Sequence, residues 1–135
     1  MTTIINAVAS TGLTQTADGS GIIKLQSNGV TTNALSWVNF NGSTGAIRSS
    51  YNVSSVTRNG TGDYTINYST ALSDANYSLC LTVSKQSISS GNTSLGFINE
   101  SYPPTTTTAR VGTNYVQTPQ NGIDPLYFTT IVFGN

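Results

Sequence analysis

The chain contains no histidine, and this absence excludes more chemistry than any motif present supplies. Without imidazole there is no Ser-His-Asp or Cys-His nucleophile and no His-ligated zinc. Charge is nearly as scarce. Asp, Glu, Lys and Arg together make up 7% of the residues, against about 25% in an ordinary soluble domain, so Ser, Thr, Asn and Gly must cover the surface. The bases Lys24, Arg48, Arg58, Lys85 and Arg110 are scattered among the acids Asp18, Asp63, Asp74, Glu100 and Asp124. They form no basic stripe that would neutralise phosphates, so nucleic acid is not an expected partner. A single cysteine, Cys80, excludes an intrachain disulfide framework and is expected to be a buried, inert thiol within a strand. No stretch approaches the roughly 18 apolar residues of a membrane span. The N-terminal "MTTIINAVASTG" lacks the basic and apolar regions of a secretory signal, so neither export nor membrane insertion is expected.

What is present is β-structure. With 135 residues the chain makes one domain, and its apolar residues recur with a period of two and nowhere with the period of a helix. In "AIRSSYNVSSV" the residues Ile47, Ser49, Tyr51 and Val53 share one face and Arg48, Ser50 and Asn52 the other. Asn59 and Gly60 then tolerate the positive φ of a tight reversal, and Gly62 allows a bulge. "DYTINYS" alternates again, which predicts a hairpin over about residues 46–69. Further strands are expected in "YSLCLTVSK", with Tyr77, Leu79, Leu81 and Val83 on the apolar face, in "TSLGFIN", in "ARVGTNYV" and in "LYFTTIVFG". The last of these is apolar on both faces and should be central or lie at a subunit contact. Ile66 and Leu81 are expected in one core. Pro103 and Pro104 keep "ESYPPTTTT" out of a central ladder.

Residues 1–36 read differently. Short apolar pieces, "TIINAV" and "GIIKLQ", are interrupted by "STG", "DGSG" and "SNG", too brief to close a core unaided. They suggest an arm, packed on its own subunit or along a neighbour, ahead of a body spanning 37–135 that begins near Trp37. The whole is expected to be an antiparallel β-sandwich, jelly-roll-like. Near-zero net charge removes the self-repulsion that keeps monomers apart and points to an oligomer. Asp18, Asp63 and Asp74 stand in turn sequences, where Asp serves local hydrogen bonding, so no catalytic residues and no enzyme are expected. "DGSG" lacks the spacing of a calcium loop, and no metal or cofactor is expected.

The succession "STGLTQTADGSGIIKLQSNGVTTNALSWVNFNG" followed by "AIRSSYNVSSVTRNGTGDYTINYSTALSDANYSL" resembles a module of tail-fibre proteins of tailed bacteriophages, including phages of cyanobacteria. The tryptophan segment and then the NVSS, NGTGDYT and DANY elements carry the resemblance, which covers about the first 80 residues. It implies a homotrimeric virion protein that binds other virion proteins and a glycan or protein of the bacterial surface. Because the module begins almost at Met1, a fibre tip, a short fibre and a capsid or baseplate decoration protein with a mechanical role all stay open. Recognition is expected in the two longest polar loops, "NESYPPTTTT" and "QTPQNGIDP", since specificity usually sits in loops on a rigid scaffold. Tyr102, Asn121, Asp124 and Tyr127 are the candidate ligand-binding residues. A tyrosine ring can lie on a sugar face, while Asn and Asp hydrogen-bond hydroxyls.

Overall fold

Alternating apolar side chains fold this chain into two sheets that close on one another. The structure, a computed structural model, describes residues 26–27, 30–31, 33–84, 93–117 and 121–134. Among them every regular element is a strand: β1 (Gln26–Ser27), β2 (Val30–Thr31), β3 (Ser36–Phe40), β4 (Ile47–Tyr51), β5 (Val53–Gly60), β6 (Asp63–Tyr68), β7 (Ser78–Val83), β8 (Ser94–Ile98), β9 (Thr108–Tyr115) and β10 (Phe128–Phe133). The body is a β-sandwich of two antiparallel four-stranded sheets, ordered β4-β3-β10-β7 and β5-β6-β9-β8. The consecutive pairs β3–β4, β5–β6 and β8–β9 each stay within one sheet, and the chain crosses between sheets after β4, β6, β7 and β9. Most of the expected arm, residues 1–36, lies outside the described residues; within it β1 pairs with β2.

Between the sheets, Val38, Phe40, Val53, Tyr64, Ile66, Tyr68, Ala109, Val111, Phe128 and Val132 form one buried cluster. They come from alternate positions of β3, β5, β6, β9 and β10, which is what period-two patterning requires of a half-buried strand. At its centre Phe40 stacks on Phe128 with centroids 4.9 Å apart, and Tyr64 stands edge-on to both, 5.1 and 5.5 Å away. Ile66 lies fully in this core. Leu81 only borders it, because β7 is an edge strand and its inward side chains are covered from one side. The same alternation turns Cys80 outward, so the expected buried thiol is exposed. β10 is central, paired with both β3 and β7.

Two expectations about the hairpin are corrected. The segment 46–56 is not one strand. Asn52 takes a φ of 54°, a left-handed conformation that Asn tolerates better than most residues, and the chain there passes from one sheet to the other. Its side chain braces the corner. Nδ2 donates to the carbonyls of Leu35 and Thr70, both at 3.2 Å, and Oδ1 accepts from the Thr70 amide at 2.8 Å. The reversal itself falls at Thr61-Gly62, with Gly62 at φ 71°, while Asn59 occupies a register shift between Arg58 and Gly60. The roles assigned to Asn59-Gly60 and Gly62 are thus exchanged: the bulge comes first and the turn second.

Candidate functional site

Alternation that sends Tyr64, Ile66 and Ala109 inward sends Asp63, Thr65, Thr108 and Arg110 to the outer face of the second sheet, where β6 and β9 pair with Thr65 opposite Arg110. The loop of residues 99–107 folds back over this face. Its entry is an Asx-type turn: the Asn99 side chain accepts from the Ser101 amide at 3.1 Å, and the Asn99 carbonyl accepts from the Tyr102 amide at 3.0 Å. Pro103 restricts Tyr102 to extended backbone, and the two prolines lack the freedom to collapse. The far end of the loop is tied down by Leu72 N–H to Thr106 O at 2.8 Å and Tyr68 N–H to Thr107 O at 2.9 Å. Tyr77 Oη adds bonds to the Thr105 and Thr108 carbonyls, each 3.2 Å.

Between loop and sheet lies an open groove of ≈ 350 Å³, lined by Thr65, Ser101, Tyr102, Pro103, Thr105, Thr108 and Arg110. The Tyr102 ring is held over the Arg110 guanidinium, whose carbon is 3.6 Å from the ring centroid, while the residue stays 50% exposed. Arg110 is in turn fixed by a two-pronged bond to Asp63, Nε to Oδ1 at 2.9 Å and Nη2 to Oδ2 at 2.6 Å. That bond raises the Arg110 pKa and holds the Asp63 carboxyl below its ordinary range. Asn59, reaching over from the β5 bulge, donates to Thr65 Oγ1 at 2.9 Å and to Asp63 at 3.4 Å. Such a surface can stack one face of a ring and exchange hydrogen bonds with its hydroxyls. It holds no histidine or cysteine, and among the described residues no three of Cys, Asp and Glu gather as they would around a metal ion.

The four residues singled out from sequence are not brought together. Tyr102 is in the groove. Asp124 is committed elsewhere: Oδ2 meets Arg58 Nη2 at 2.6 Å, while Oδ1 accepts from Tyr64 Oη at 2.6 Å and from the Gly62 amide at 3.1 Å. Asn121 is exposed on the same loop, and its carbonyl accepts from the Tyr115 amide at 3.4 Å. Tyr127 lies at the other sheet, 50% exposed, with the Arg48 guanidinium 4.4 Å from its ring. Arg110, Thr65, Thr108 and Asp63 are not among the residues expected from sequence, because all four stand on the strands β6 and β9 rather than in the polar loops. The available signal was the alternation of "TARVGTNY", which puts Thr108 and Arg110 on the face opposite Ala109 and Val111.

A second surface feature crosses the outer face of the first sheet. Register aligns Tyr51, Trp37, Ile131 and Cys80 in one row over four strands, and Phe133 lies two residues beyond Ile131. Tyr51 is 57% exposed, Ile131 37% and Phe133 39%. No charged side chain belongs to this row. Comparison with known protein families, with curated proteins and with solved structures found no match to this chain.

Proposed function

We propose that this protein is a non-catalytic recognition module of a bacteriophage virion, the receptor-binding part of a tail fibre, and that it holds carbohydrate of the bacterial surface in the Tyr102–Arg110 groove. The observation that carries this reading is a half-exposed aromatic ring, held over a guanidinium, in a groove whose other walls are Pro103, a serine and three threonines. A ring immobilised before contact gives up little entropy on binding. Its open face suits the C–H side of a pyranose, and the threonines act as both donors and acceptors for sugar hydroxyls. Tyr102→Ala should weaken binding to immobilised bacterial-surface glycans by at least about tenfold, as loss of an aromatic anchor does, with an unchanged melting curve. Tyr127→Ala and Asn121→Ala should bind as the parent does. Loss of binding in the Tyr127 variant with retention in the Tyr102 variant would overturn this assignment.

The row Tyr51–Trp37–Ile131–Cys80 supports the accompanying proposal of a homotrimer, because an uncharged apolar stripe on a central strand is better covered than wet. It also favours the second reading, a decoration protein of capsid or baseplate, whose task needs a broad contact and tolerates changes in the groove. Light scattering is expected to give three times the chain mass at micromolar concentration, and Ile131→Asp should reduce that mass without unfolding the body. A parent mass of 14.1 kDa would remove the trimer.

A further inference from the structure

We infer that the groove selects neutral sugars over acidic ones, and that Asp63 sets this selectivity; the inference rests on the reading of the groove as a carbohydrate site. An unpaired arginine beside an aromatic ring would draw carboxylate or sulfate groups, since its planar fork matches them. Here Asp63 occupies that fork through Nε and Nη2, at 2.9 and 2.6 Å, and Tyr102 covers one face of the guanidinium. The remaining walls, Thr65, Ser101, Thr105 and Thr108, carry no charge. The local charge therefore sums to zero. An entering carboxylate must shed its hydration, finds one binding edge of Arg110 taken, and meets the like charge of Asp63 beside it. A neutral pyranose meets none of these obstacles. Asp63 is itself braced by Asn59, which keeps the neutralising partner in place.

Matched oligosaccharides differing only at C6 test this: galactose against galacturonate, glucose against glucuronate, and mannose against mannuronate, each immobilised as oligomers. The parent protein is expected to bind at least one neutral member at least about tenfold more tightly than its acidic counterpart, with little response to salt. Asp63→Asn keeps the shape and frees the Arg110 charge. It should reverse that order and make binding fall steeply with added salt, which a merely structural role for Asp63 would not produce. If the parent binds through Tyr102 but prefers the uronates, or if Asp63→Asn weakens both classes in parallel, the selectivity proposal is overturned while the groove remains the site. If Tyr102→Ala leaves all binding intact, or the parent retains none of these sugars, the reading of the groove falls and the selectivity with it.

Discussion

Phe128→Ala should cost about 3–5 kcal/mol of folding stability, the usual range for emptying a fully buried aromatic site. Phe128 has no exposed surface and is stacked on Phe40 at 4.9 Å and edge-on to Tyr64 at 5.5 Å. Truncation thus removes two aromatic pairings as well as apolar area. It also lies on a central strand, opposite Phe40 and Val83, so the cavity opens between the two sheets, within the buried cluster. Domains of this size are stable by roughly 5–15 kcal/mol, and the variant would spend a large share of that margin. Urea denaturation measures it. Leu95→Ala on the outer face of β8, where the side chain is 54% exposed, should change stability by no more than about 0.5 kcal/mol. Equal losses in the two variants would mean that the core has been drawn on the wrong face.

Asp124→Ala is expected to be the most damaging polar substitution. Its carboxylate joins the loop before β10 to the β5–β6 turn, taking the Gly62 amide, Tyr64 Oη and Arg58 at once. Without it the fully buried Tyr64 hydroxyl keeps only a long 3.4 Å contact to the Ile123 carbonyl, and stranding such a group costs about 1–3 kcal/mol. Replacement by a larger group at Gly62 is closed off as well. Gly62 has a φ of 71°, and a Cβ there would lie 2.7 Å from the Ile123 amide nitrogen. The same junction responds to pH. Partial burial pushes the Asp124 carboxyl up, but the bonds from Arg58, Tyr64 and Gly62 outweigh it and hold the folded value below the ordinary 3.8. Arg110 does the same for Asp63. A carboxyl with a depressed folded value contributes its full stability above pH 3.8 and loses it as pH falls through the lower, folded value. Asp124→Asn should therefore melt earlier than the parent at neutral pH, and the two curves should converge under strongly acid conditions. A constant offset across that range would exclude ionised Asp124 as the cause.

The β-class, most strand positions, most of the apolar faces and the loop holding Tyr102 were legible in the amino-acid order, because alternation and turn chemistry are local properties. Tyr51, expected on one face with Ile47 and Val53, is turned outward instead. Tyr77, Leu79, Leu81 and Val83 could be placed on one face from spacing alone. Sheet membership could not. The corner at Asn52 looks like ordinary alternation until its φ and its bonds to Leu35 and Thr70 are known. The bulge at Asn59 and the turn at Gly62 draw on the same small set of residues in either order. The groove was out of reach for the same reason. Arg110 meets Asp63 across 47 residues of chain and Arg58 meets Asp124 across 66, whereas by sequence Asp63 reads as a turn residue and Asp124 as a ligand-binding one. Strand register, and the loops that fold back over the sheets, decide which distant side chains become neighbours, and both depend on packing two sheets face to face rather than on any short stretch of sequence.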